Sequence, residues 1–149
     1  MKITCGIFLF NNRNEFLIVH PTNHPEDFWS IPKGIKNKNE DDFDAACREL
    51  HEETNIKLED IDVIDKKHLG MFKYNYKNKK LSAFYVETKY DFKDYEIKCE
   101  SMVRHLKGKD FPEVDDFKWV NIEEAYKLIH ITQVPCLQIL DRLRKDDNI

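Results

Sequence analysis

Gly34-Ile-Lys-Asn-Lys-Asn-Glu40-Asp-Asp-Phe-Asp-Ala-Ala-Cys-Arg48-Glu49-Leu50-His51-Glu52-Glu53-Thr54-Asn55-Ile56 is a glycine-opened loop running into a short amphipathic helix. Phe43, Ala46, Cys47, Leu50 and Thr54 recur at helical spacing and predict the side that faces a core. Glu49, Glu52 and Glu53 stand at i, i+3 and i+4, so one helical turn gathers three carboxylates opposite or beside that apolar side.

Three like charges at this spacing repel, and the cluster costs stability unless something reverses that term. A divalent cation does so: hard ions such as Mg²⁺ take oxygen ligands and bind through a few carboxylates together with substrate phosphates. Arg48 precedes Glu52 by one turn and can pair with it, orienting the carboxylate and offsetting part of the charge. Taken alone, the spacing also describes a solvated acidic helix face, which is common.

The longer pattern narrows the choice. Gly34, Glu40 and then Arg48-Glu49-Leu50-x-Glu52-Glu53-x-x-Ile56 resembles the signature of the Nudix hydrolases. One position departs: the second glycine of that signature is Asn55 here. The departure is mild, because the residue just past a helix end often takes positive φ and Asn is the usual substitute for Gly there. Trp29-Ser-Ile-Pro-Lys-Gly34 is similar to the tryptophan-x-x-proline-x-glycine lead-in of many such enzymes. Phe111-Pro-Glu-Val-Asp-Asp-Phe-Lys-Trp-Val120 and Gln133-Val-Pro-Cys-Leu137 are similar to the closing segments of small predicted NTP pyrophosphohydrolases.

The resemblance implies an α/β (α+β) fold, a Nudix-type α/β/α sandwich with a mixed sheet and helices on both sides. It implies metal-dependent hydrolysis of a phosphoanhydride in a nucleoside diphosphate linked to another group, with Mg²⁺ or Mn²⁺ as cofactor. Matched residue by residue, Glu49 and Glu53 become the first metal ligands and Glu52 a third, with the Gly34 carbonyl completing one coordination shell. Arg48 and Glu40 become orienting residues. Glu49 and Glu113 are alternative general bases, and Glu113 alternatively ligates metal, contacts substrate or is a turn residue after Pro112. Lys33 is read either as a phosphate contact or as a solvated turn. Tyr74 occupies the place of a tyrosine that accompanies dinucleoside polyphosphate hydrolases and could stack on a base; the other reading is a surface aromatic. Dinucleoside polyphosphates such as diadenosine tetraphosphate lead among the implied substrates. Nucleoside triphosphates and RNA 5′ ends follow, then ADP-ribose and FAD. A Nudix-fold nucleotide-binding module without catalysis is the reading from a different class, and the filled acidic positions weigh against it.

A chain of 149 residues fits one domain, 1–149, with a substantial core. The formal charge of -4 argues against a broad electrostatic hold on nucleic acid. Two local basic patches remain, Lys33 with Lys36 and Lys38, and Lys77 with Lys79 and Lys80; the second keeps an RNA 5′ end in view. Cys5, Cys47, Cys99 and Cys136 lack paired spacing and read as reduced thiols. No run reaches membrane-spanning length and no signal-peptide pattern opens the chain, so the expectation is a cytoplasmic protein with no membrane partner. Homodimerisation is common among Nudix proteins and is carried as an open expectation.

Ile3 to Phe10 and Glu15 to His20 are apolar, β-prone and separated by a turn cluster, which predicts a hairpin with both faces covered. Gly6 marks a close approach by a ligand or another backbone, and Trp29 reads as packing. Ile61 to Met71 and Leu81 to Thr88 predict strands, Ile97 to Val103 a weaker one, and Phe117 to Val120 a last one. Asn121 with Glu124 is a capping-box variant opening a helix to about Ile129. Thr132 is expected to cap a final helix with Pro135 in its first turn and a frayed end from Lys145. The six histidines show no ligand spacing and read as incidental.

Overall fold

The computed structural model describes residues 1–74, 78–104 and 108–147. Lys2–Phe10 (β1) and Phe16–Pro21 (β2) are joined by a turn in which Asn14 takes φ of 64°. They pair as a hairpin at its closed end, with Phe10 opposite Phe16. Beyond that point they diverge. Residues Thr4 to Gly6 of β1 pair with the short Lys33–Ile35 (β3), so that Cys5 faces Gly34. Gly6 allows this: a Cβ there would lie 2.9 Å from Lys33 Cβ and 3.0 Å from Pro32 O. The predicted close approach is therefore by another segment of backbone.

The helix Asp42–Thr54 (α1) leads to the long edge strand Val63–Lys73 (β4) and to Lys79–Thr88 (β5). β5 runs parallel to β1 along its whole length, while β4 is antiparallel to β5. Two short strands, Met102–Val103 (β6) and Phe111–Pro112 (β7), form a separate ribbon. Val114–Val120 (β8) then closes the other side of the main sheet against β2. The order is β4-β5-β1-β2-β8 with β3 beside β1, a mixed sheet.

Period-two alternation along the central strands divides the core in two. Phe8, Phe10, Phe16, Ile18 and Tyr85 join Ala125, Leu137 and Leu140 from the helices Ile122–Leu128 (α2) and Val134–Asp147 (α3). Ile7, Leu9 and Leu17 join Ala45, Ala46 and Leu50 of α1. Helices thus cover both faces of the sheet, as expected, and the buried run Thr4 to Phe10 follows from that.

Three local expectations are corrected. Ile97 to Val103 is not a strand; among these residues only Met102 and Val103 pair, and Lys98, Glu100 and Ser101 give their amides to the end of α1. Thr132 does not open the last helix. It lies in a 3-10 turn, Ile131–Gln133, whose cap is His130, accepting from the Thr132 amide. Lys145 to Asp147 belong to α3 rather than to a frayed tail, and residues 148 and 149 lie outside the described residues. The Asn121 capping box is present with Glu124, and Trp29 is buried in the core.

Candidate active site

The geometry of α1 follows from its two ends. Asp41 caps the start by accepting from the Phe43 amide, and Asn55 stops the helix at φ of 69°, its amide donating to His51 O at 2.8 Å. Between them the buried residues are Ala45, Ala46, Glu49, Leu50, Glu53 and Thr54. The acidic side therefore lies beside the apolar side and is covered. Glu49 is 6% exposed and Glu53 4%, whereas the Glu52 side chain is 39% exposed.

What covers Glu49 is β3. A Cβ on Gly34 would fall 2.0 Å from Glu49 Cδ, so only glycine admits the carboxylate at this spot. The Lys33 amide donates to Glu53 Oε2 at 3.2 Å. Arg48 gathers the remaining acids. Its guanidinium donates to both Glu40 oxygens at 2.8 and 3.0 Å, to Glu49 Oε1 at 2.8 Å, to Glu52 Oε1 at 3.3 Å and to Ile35 O at 3.1 Å. The two parallel bonds to Glu40 fix the fork geometry, which leaves the other terminal nitrogen pointed at Glu49. Arg48 is held in its charged form chiefly by Glu40.

A third carboxylate, only partly buried, joins Glu49 and Glu53 from elsewhere in the chain. One oxygen each from Glu49, Glu53 and Glu113 lie within 4.8 Å of one another. Glu52 stands outside this trio, paired with Arg48. Glu113 is positioned by the segment docked on α1: Lys98 donates to Thr54 O at 3.0 Å, and Glu100 and Ser101 to Glu52 O at 2.8 and 3.0 Å. These carbonyls are among those a helix end leaves without internal partners. The Glu113 amide then donates to Ser101 O at 2.9 Å, and Ser101 Oγ donates to Glu113 Oε2 at 2.8 Å.

Electrostatically the trio is unfavourable as it stands. Burial raises the pKa of Glu49, and the charges of Glu52 and Glu113 add to that, against the pull of Arg48. Burial also raises Glu53 well above the ordinary carboxylate value, with Glu113 and Glu49 adding and Lys33 opposing. Lys33 is lowered, again by burial first. Hard oxygen donors, close spacing, burial and mutual repulsion form the donor set that a divalent cation satisfies.

Two of the trio, Glu53 and Glu113, line a cleft of about 590 Å³, to which Lys33, Lys79 and Tyr74 also contribute. Lys33 Nζ and Lys79 Nζ lie 6.0 and 5.8 Å from the centre of the Tyr74 ring. Farther along, Phe28 packs against His24 at 4.8 Å and against His130 at 4.4 Å between ring centres. Sequence reasoning missed this row. Its histidines are far apart in the chain and no local pattern marks them; the proximity of Phe28 to the Trp29 lead-in was the one available signal. No histidine joins the carboxylate trio among the described residues. His20 is a structural residue, bonded to Asp115 Oδ1 at 2.6 Å and to Pro25 O at 2.8 Å. Tyr76, Lys77 and His105 lie outside the described residues.

Known proteins resemble this chain in sequence and in fold. An RNA pyrophosphohydrolase of Pelagibacter ubique is 28% identical over 132 residues, covering 83% of this chain and 78% of its own. An asymmetrical bis(5′-nucleosyl)-tetraphosphatase of Caenorhabditis elegans is 29% identical over 123 residues, with 83% and 79% covered. The crystal structure of a C. elegans Ap4A hydrolase binary complex superposes with a TM-score of 0.70 at 19% identity, covering 98% of this chain and 99% of that one. The family model described as the NUDIX domain matches residues 2–138, from the first strand through the opening of the last helix. The chain belongs to the Nudix family.

Proposed function

We propose that this Nudix hydrolase cuts dinucleoside polyphosphates such as diadenosine tetraphosphate, using Mg²⁺ or Mn²⁺ held by Glu49, Glu53 and Glu113. The observation that carries the reading is the close trio of carboxylates, two of them buried, whose members Glu53 and Glu113 line a cleft shared with lysines and aromatic rings. The relative named a bis(5′-nucleosyl)-tetraphosphatase supports the substrate class. The relative named an RNA pyrophosphohydrolase supports a second reading, in which an RNA 5′ end enters the same cleft.

A bound divalent cation supplies charge neutralisation at the phosphate oxygens and acidifies the attacking water. The chain's own residues do the remainder. Arg48, braced by Glu40, keeps Glu49 turned toward the trio, and Glu52 offsets the charge of Arg48 from the solvent side. Gly34 leaves room for the Glu49 carboxylate, and its carbonyl is an additional oxygen donor in this reading. Lys33 and Lys79 hold the phosphate chain. Glu49 and Glu113 are the two carboxylates that this reading assigns to take the proton from water. A reducing, cytoplasmic setting accords with the absence of disulfides: all four cysteines are free.

The test is product release with Mg²⁺ or Mn²⁺ from a panel of diadenosine tetraphosphate, nucleoside triphosphates, ADP-ribose, FAD and 5′-triphosphorylated or capped RNA. Turnover of diadenosine tetraphosphate at the highest kcat/KM is the expected result. Preference for RNA ends would favour the second reading, and binding without release from any member would make the domain a non-catalytic module.

A further inference from the structure

We infer that the row His24, Phe28 and His130 is the nucleobase-binding wall of the cleft, and that Tyr74 is a positioning residue for two phosphate-binding lysines and not a stacking platform. The inference deepens the reading of the cleft as a nucleotide site and rests on it.

Tyr74 is the residue that sequence position nominates for stacking, and its surroundings argue otherwise. Its hydroxyl is buried, turned toward Thr4, and burial pushes the phenol up to about 12. Its side chain packs on the core formed by Phe8, Leu81 and Leu137. The ammonium groups of Lys33 and Lys79 both lie within cation–π range of the ring, at 6.0 and 5.8 Å. A base laid on that ring would have to displace a cation from an attractive position. The ring instead serves to hold two positive charges in the cleft that Glu53 and Glu113 also line.

The Phe28 row has the opposite character. Phe28 is half-buried and lines the cleft with His24 and His130, at interplanar angles of 40° and 35°. These tilted contacts build a continuous aromatic strip. The strip is anchored from behind: the His130 amide donates to Trp29 O at 2.8 Å and the Phe28 amide to Pro25 O at 2.9 Å. Asn23, which also lines the cleft, offers a side-chain amide for a base edge, and the Thr132 hydroxyl, bonded to His130 Nδ1 at 2.7 Å, keeps its acceptor capacity. Carboxylates, lysines and an aromatic wall along one cleft match metal, phosphates and base of a single nucleotide.

The experiment compares two ligands that differ chiefly by the nucleoside, inorganic tripolyphosphate and a hydrolysis-resistant methylene-bridged ATP. Both are titrated by calorimetry, with Mg²⁺, into the wild type, Phe28→Leu and Tyr74→Leu. Phe28→Leu keeps apolar volume and removes the π face; circular dichroism and melting confirm its fold. The expected result is about a tenfold loss for the nucleotide and less than about twofold for tripolyphosphate, a stacking contact being worth ~1–3 kcal/mol. Tyr74→Leu is expected to weaken both ligands by a similar factor, through the lysines. His130→Leu, in the same row, repeats the Phe28 test should that variant fold poorly. Equal losses for both ligands in the Phe28 and His130 variants, or nucleotide-selective loss in Tyr74→Leu, would overturn the inference. Because binding is read without turnover, a negative hydrolysis panel with selective loss at Phe28 would reject the enzymatic reading and leave the wall standing. Turnover that ignores Phe28 would do the reverse.

Discussion

Gly34 and Glu49 share a space that holds one of two things, a carboxylate or a methyl group. With Glu49 Cδ only 2.0 Å from where a Cβ would sit, Gly34→Ala forces the glutamate or strand β3 to move. Overpacking of this kind costs about 1–3 kcal/mol, and a displacement near 1 Å at a reacting centre costs about 10² in rate. Urea unfolding and steady-state kinetics on Gly34→Ala should therefore show both losses together, and unchanged kcat would mean that Glu49 does not work from this pose. Glu49→Gln and Glu53→Gln separate the two effects. Each removes charge from a repelling group without changing its volume, so the apo fold should hold or gain stability while kcat falls by at least ~10²–10³. A variant retaining most of the parent kcat would remove that residue from the proposed machinery.

Helix α1 was legible in advance because everything that defines it is local. Its period and Asn55 at the end stand within one stretch, and the left-handed φ of 69° at Asn55 is what a glycine-or-asparagine position predicts; the Asp41 cap is equally local, though the sequence reading did not single it out. Asn55→Gly should accordingly stay within about 1 kcal/mol of the parent, and Asn55→Val should lose about 1–2 kcal/mol in chemical denaturation. A valine tolerated at no cost would mean that the helix end relaxes. The burial of Glu49 and Glu53 was not legible, since a helical wheel shows which side a residue is on and not what later folds over it. The segment from Ile97 was misread for a related reason. Its apolar residues resemble a strand, yet its amides find partners at Glu52 O and Thr54 O, carbonyls more than forty residues earlier in the chain. Thr132 failed as a cap because His130, two residues before it, supplies the acceptor first. The aromatic row of His24, Phe28 and His130 depends wholly on how loops meet across the sheet.

At the scale of the molecule, the acidic trio links stability, pH and metal. Glu49 and Glu53 both have raised pKa values in the folded state. Their contribution is complete below the ordinary carboxylate pKa and is lost as pH rises through the raised folded values. The metal-free protein should therefore lose melting temperature from these two groups between mildly acid and alkaline pH. Magnesium replaces the missing protons, so its stabilising effect should be larger at pH 8 than at pH 5. Saturation at about 100 times Kd gives ~2.7 kcal/mol, or roughly 5 °C or more for a chain of this size. Differential scanning fluorimetry with and without chelator measures this, and Glu53→Gln should flatten both the pH slope and the response to magnesium. An equal shift at the two pH values would break the link between the raised carboxyls and the cation.

The docking of residues 98–101 on the end of α1 has a further result. Two members of the trio ride on the helix, and the third stands at the bend between β7 and β8, bonded to Ser101 of the segment that the same helix end has tethered. An ion among them would act as a staple between parts of the chain that no peptide bond brings close. Its arrival should then be felt as slower hydrogen exchange at the amides of Lys98, Glu100 and Ser101, none of which touches it.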